Sequence, residues 1–243
     1  MSPRFVHLHL HSEFSLLDST IRIKALVKRC AALGLPAVAL TDQSNLFALV
    51  KFYKAAEAAG IKPIAGSDVW VADGDGPPTR LTLLCQHHAG YLNLARLLTR
   101  AYREGHRGDF VAVHRDWVRE CNAGLIALAG RESDIGHAVL EGRPEAAEAA
   151  LRDWQEVFDD RLCLELVRTQ RPGEEEFIAA AVELAVRHAI PAVASNDVRF
   201  LDRSDFEAHE ARVCIASDRV LADPKRPRTY SAEQYLKSAD EMA

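Results

Sequence analysis

The chain has 243 residues, 48% hydrophobic and 27% charged, which is enough for a sizeable core in one large domain. A net charge of −5 supplies no strongly basic surface for nucleic acid, and no run of about 18 apolar residues offers a membrane span. Five scattered cysteines without a C-x-x-C pair, and no N-terminal secretory signal, fit a reducing cytoplasm and argue against a cysteine zinc knuckle.

The first predicted strand covers 5–10 (FVHLHL). Alternation would put His7, His9 and His11 on one face and Val6, Leu8 and Leu10 on the other, as a metal site requires. A helix is predicted over 22–33, ending at Gly34, then a strand over 37–41 and a helix over 46–59, ending at Gly60. Strands over 61–71 and 80–85 flank the turn ADGDGPPT (72–79) and read as an antiparallel pair. A helix over 89–103 follows, with His87 and His88 at its solvated start. Next come a strand over 124–129, a helix over 144–158 with Pro144 in its first turn, a strand over 161–167, a helix over 174–188 and a strand over 191–195. The last stretch, SAEQYLKSADEMA, carries a helical pattern without a C-cap, and the chain reads as a fragment of a longer protein. No repeat or linker divides it, so residues 1–243 are expected to form one domain.

Seven strands mostly alternating with helices predict a parallel sheet, doubly wound or closed as a barrel. In such folds function collects where strands pass into the following loops. Those points carry the three histidines, Asp42, Asp68, Arg131, Glu165, Arg168, Asn196, Asp197 and Arg199. Imidazoles and carboxylates converging from several strand ends suit a metallohydrolase, in which zinc or manganese activates a water. Each residue also has a plainer use. An H-x-H pair serves equally well as hydrogen-bonded core, Asp42 in LTDQSNL as a helix N-cap beside Ser44 and Asn45, and Asp68 or Glu165 as a salt-bridge partner. PKRPR (224–228) reads as a solvated basic loop rather than a DNA contact.

FVHLHLHSEFSLLD and GLPAVALTDQSNLFALVKFYKAAEAAGIKPIAGSDVWV resemble the start of bacterial DNA polymerase III alpha subunits, where a PHP (polymerase and histidinol phosphatase) domain lies. HAGYLNLARLLTRAY, GLIALAG, RLCLELVRTQRPGEEEFI and PAVASNDVRFLDRSDFEAHEARVCI continue the resemblance, and DPKRPRTYSAEQYLKSADEMA carries it to the last residue. The resemblance implies a distorted seven-stranded β/α barrel, TIM-barrel-like, with a metal cleft at the strand ends. It keeps the family's first H-x-H as His9 and His11, but T-D-H becomes Thr41-Asp42-Gln43 and the bridging glutamate becomes Asp68. Family ligands are replaced by Arg80, Arg131, Arg168 and, in the final D-x-H, by Arg199 beside a retained Asp197.

Arginine keeps its proton and offers no lone pair, so these four are expected to pair with Asp42, Asp68, Glu165 and Asp197 in place of metals. The implied function is a non-catalytic scaffold. It would support the polymerase and the remainder of the alpha subunit, dock the proofreading exonuclease subunit, and meet DNA only through the parent protein. No cofactor is expected in this stretch; magnesium would belong to the polymerase domain. The alternative is a metal-dependent phosphoesterase, a 3′–5′ exonuclease or pyrophosphatase, with a single zinc or manganese on His9, His11, Asp68 and Asp197. A free-standing histidinol-phosphatase-like enzyme does not fit the words after residue 190.

Overall fold

The computed structural model describes residues 5–74, 76–108 and 110–243; of the predicted turn 72–79, Asp75 lies outside the described residues. The strands are β1 (Ala37–Leu40), β2 (Lys62–Val71), β3 (Thr79–Cys85), β4 (His106–Arg107), β5 (Phe110–Val113), β6 (Leu125–Ala129), β7 (Leu162–Val167) and β8 (Ala192–Ser195). β1 reads AVAL and is buried throughout, as a strand covered on both faces must be. It pairs parallel with β2, Ala37 opposite Lys62, while β2 pairs antiparallel with β3, Gly66 opposite Leu84. β3 is antiparallel to β6, and β6, β7 and β8 run parallel. The antiparallel pair expected around the turn 72–79 is therefore present, and β3 interrupts an otherwise largely parallel ring. The short β2–β3 connection can only return the chain in the opposite direction.

The seventh stave is the N-terminal segment. Parallel bridges join His7 to Val38 and Leu10 to Val198, just beyond β8, so residues 7–11 close the ring into a distorted barrel. This segment is not the regular strand predicted over 5–10. Leu8 and His9 both turn into the barrel while Leu10 packs outside it, so the alternation breaks at the closure.

Helices α1 (Ile23–Ala32), α2 (Leu49–Ala58), α3 (His88–Glu104), α6 (Pro144–Phe158) and α7 (Glu174–His188) match the predicted periodicities, with Gly34 and Gly60 past their helix ends at positive φ. Between and after them lie α4 (Arg115–Cys121), α5 (Asp134–Leu140), α8 (Phe206–Ala216) and α9 (Ala239–Met242). The C-terminal helical pattern is realised only in α9. The stretch before it docks as extended chain, with Tyr235 bridged to Phe200 and Leu236 buried. One core, built on Trp154, Phe158 and Phe177, fills the space between the sheet and α3 to α7. A second, with Leu26, Phe52 and Leu10, lies under α1 and α2. Among the described residues no helix is long and apolar enough to cross a membrane.

Candidate functional site

Strand pleat decides which predicted residues reach the cleft at the strand ends. Along β7, Cys163, Glu165 and Val167 face the barrel interior, while Leu164 joins the outer core. Arg168 has the parity of Leu164, so it points away from the cleft. It is two-thirds exposed and forks onto Glu175 at 2.7 and 3.0 Å. The expectation that Arg168 faces the old ligand set is therefore wrong. Arg171, three residues on, returns to the cleft and reaches Asp197 Oδ2 at 3.2 Å and Glu174 at 2.8 Å.

The structure brings together His9, His11, Asp68, Glu165, Asp197, Arg80 and Arg199, joined by Asp18, which the sequence reading missed. Arg199 is fully buried; its Nη1 donates to Asp18 at 2.6 Å, and its Nη2 pairs with Asp197. Arg80 reaches Asp18 and Asp68, each at 3.5 Å, and lies over the Trp70 ring. Arg131 stays at the rim, paired with its neighbour Glu132. Among the described residues Asp42 pairs with no arginine: Ser12 N–H (2.6 Å), Ser12 Oγ (2.9 Å) and Ser15 Oγ (3.0 Å) donate to it. Gln43 donates from Nε2 to the Asp68 carbonyl at 2.8 Å. His7 is turned out of the cleft and bonds the Lys237 carbonyl at 2.9 Å, because the alternation predicted across 7–11 breaks at residue 8. Gly130 makes room for Glu165, whose Oε2 would lie 2.9 Å from any Cβ there. Asp197 sits at φ +47, an uncommon conformation for a non-glycine residue, and Gln234 clamps its carbonyl and carboxylate.

Burial opposes the charged forms of His9, Asp18, Asp68 and Asp197, and their partners override it. Arg199 and His11 hold the Asp18 carboxyl well below the usual range, Arg199, His9 and Arg171 do the same for Asp197, and Arg80 with the two histidines for Asp68. Glu165 and Asp197 push the His9 imidazole up to about 10. Away from this network burial prevails: the His7 imidazole falls to about 4, and the Asp42 carboxyl is raised.

Three donor atoms of the cleft lie close enough together to face one ion. His9 Nδ1 is held by Glu165 at 3.0 Å and His11 Nδ1 by Asp18 at 3.0 Å, which turns both Nε2 atoms inward. Among the described residues, His9 Nε2, His11 Nε2 and Asp68 Oδ2 are buried without a hydrogen-bond partner, although Arg80 Nη1 lies 3.5 Å from Asp68 Oδ2. Asp68 Oδ2 lies 3.5 and 3.4 Å from the two nitrogens, a spacing that suits bonds of about 2.1 Å to one ion. These three residues could hold a metal. Asp197, the fourth expected ligand, lies 3.4 Å from His9 Nε2 but is engaged by Arg199, Arg171 and Gln234.

The family pattern of the PHP domain matches residues 7–169. The chain is 58% identical to the DNA polymerase III subunit alpha of Xylella fastidiosa, covering 98% of this chain and 21% of that protein. The same subunit of Pseudomonas aeruginosa is 56% identical (100% and 21% covered), and that of Escherichia coli K12 is 49% identical (99% and 21% covered). The chain thus spans about a fifth of the length of the curated relatives it matches. Among solved structures, a Bifidobacterium adolescentis protein described as a metal-dependent phosphoesterase aligns with TM-score 0.53 at 15% identity, covering 81% of this chain and 88% of that one. An amidohydrolase from Chromobacterium violaceum, holding sulfate and no metal, aligns with TM-score 0.56 at 17% identity, covering 85% and 96%. At such identities these two likenesses speak to the fold alone.

Proposed function

The chain belongs to the PHP domain family, and from that premise we propose that it is the N-terminal domain of a DNA polymerase III alpha subunit, acting as a scaffold rather than a hydrolase. In this reading polymerase chemistry, with its magnesium, lies in the rest of the subunit, in the cytoplasm. The domain would buttress that remainder and dock the proofreading exonuclease subunit.

The observation that carries the scaffold reading is Arg199. Its guanidinium is wholly buried between Asp18 and Asp197, and it ties down Asp197, the fourth ligand expected of a single metal in this cleft. Arg80 and Arg171 extend the same network to Asp68 and Asp197. With His9 protonated, three guanidiniums and one imidazolium face Asp18, Asp68, Glu165 and Asp197. Buried carboxylates are costly alone and tolerated when forked onto arginine, so the network supplies what metals supply in a hydrolytic cleft: cohesion.

A second reading, one zinc or manganese on His9, His11 and Asp68, is favoured by three inward atoms that make no hydrogen bond among the described residues. It requires His9 to release its proton, so the net local charge rises by one beside Arg80 and Arg199. The combined substitution Arg199→His and Gln43→His separates the readings. Under the scaffold reading it turns a cleft with no phosphodiesterase activity on bis-p-nitrophenyl phosphate into one whose manganese affinity rises at least tenfold. Hydrolysis by the unsubstituted chain, abolished by His9→Ala, would instead establish the phosphoesterase.

A further inference from the structure

A second cavity, of about 410 Å³, adjoins the packed cleft at its mouth. Among the described residues its walls hold four guanidiniums, those of Arg80, Arg131, Arg171 and Arg228, and one carboxylate, Glu132. The cleft beneath shares Arg80, Arg131 and Arg171 with it and is nearly full, with room of only about 30 Å³. The four arginines arrive on four different elements: β3, the segments after β6 and β7, and the segment between α8 and α9. Tyr230 anchors the last of these, its ring centroid 4.7 Å from that of buried His209, edge to face.

Much of this donor capacity is uncommitted. Arg80 lies 3.5 Å from Asp18 and from Asp68, whereas a charge-assisted hydrogen bond closes to about 2.7–2.9 Å. Arg131 gives Nη1 to Glu132, and Arg171 turns Nε to Glu174 and Nη1 to Asp197. Arg228 is exposed, and its side chain makes no hydrogen bond or ion pair among the described residues. Burial and Asp18 push the Tyr230 hydroxyl up, so it keeps its proton and can donate. In charge, Asp68 and Asp197 offset Arg80 and Arg171, and Glu132 offsets Arg131, which leaves Arg228 as the surplus cation at the mouth.

We propose that this cavity binds a phosphate group, free or at the end of a small molecule, on Arg131 and Arg228, with Arg80, Arg171 and Tyr230 completing the donors. A tetrahedral anion presents acceptor oxygens in several directions, and planar guanidinium forks recognise it better than an ammonium does. The group is held, not cleaved. The inference goes beyond the scaffold reading and needs no ion on His9, His11 or Asp68.

The probes are inorganic phosphate and glycerol phosphate, titrated calorimetrically into the full-length chain with chelator present. Arg228→Gln and Arg131→Gln should each weaken binding about tenfold, and Arg228→Lys should lose less than Arg228→Gln. Glu132→Gln should instead tighten binding several-fold, a gain that damage to the fold does not produce. Circular dichroism checks that Arg228→Gln, a change at an exposed side chain, leaves the fold intact. Tighter binding of phosphate than of glycerol phosphate assigns the free ion, and the reverse assigns a terminal group. No binding by the parent chain, or affinities that Arg228→Gln and Arg131→Gln leave unchanged, would overturn the proposal. So would a single-stranded oligonucleotide without terminal phosphates that binds through Arg228 and that phosphate cannot displace, which would assign these arginines to a nucleic-acid backbone.

Discussion

Replacing Arg199 with methionine removes the charge and keeps most of the volume. The structure leaves Asp18 and Asp197, whose side chains are 9% and 5% exposed, without their shared cation. Breaking a buried ion pair from one side costs about 3–5 kcal/mol. For a chain of this length each kcal/mol moves Tm by about 2–4 °C, so the expected loss is roughly 6–20 °C. Thermal unfolding followed by circular dichroism, in chelator to keep metals out, reads it. The pH dependence sharpens the test. Both carboxyls are depressed in the folded chain, so the stability they contribute is present above their ordinary value near 3.8 and is lost as pH falls through the lower folded values. In Arg199→Met the folded values rise, and acid unfolding should begin at higher pH. Adding Asp18→Asn should recover part of the loss, because it removes one uncompensated charge. A Tm within about 1 °C of the parent, with an unchanged acid limb, would refute the network as a source of stability.

Arg168→Ala should leave the denaturation midpoint close to the parent's, as loss of an exposed pair does, whereas Arg171→Ala should lower it clearly; denaturant titration of both variants compares them. His209 is fully buried, donates to the Asp18 carbonyl at 3.0 Å, and is held below its ordinary value of 6.5 by burial, with Arg199 adding to the effect and Asp18 and Glu210 opposing it. As pH falls below 6.5 the unfolded chain takes up a proton that the folded chain refuses, so stability should decline there. His209→Gln should show a shallower decline between pH 7 and 5 in urea titrations, and an equal slope would count against this assignment.

Six staves of the barrel and its five long helices are legible in the sequence from their own patterns: an unbroken apolar run for a strand buried on both faces, AVAL, and a capped 3.6-residue repeat for an amphipathic helix, PEAAEAALRDWQEVF. α4 and α5 are seven residues each, too short to display two full turns of pattern, and the apolar residues of α8 do not fall on one stripe. Tyr235 and Leu236 follow a helical spacing in sequence but pack against extended chain at Phe200, a tertiary preference that overrides the local one. In the cleft, histidines and aspartates were readable from strand ends. Their partners depended on pleat parity at Arg168 and on loop residues. Asp18 sits seven residues past His11 in a segment with no period, and Arg171 follows a turn. The available signal was the parity of β7, which already separates Arg168 from Glu165.

Metal stoichiometry tests the central claim most directly. The full-length chain, purified without chelator and assayed for zinc, manganese and iron by mass spectrometry, should carry well under one equivalent. Its Tm should not move when a chelator is added, because Arg80, Arg171 and Arg199 already neutralise the cleft. One equivalent of metal, lost together with several degrees of Tm on chelation and absent in His9→Ala, would contradict the account and place an ion on His9, His11 and Asp68.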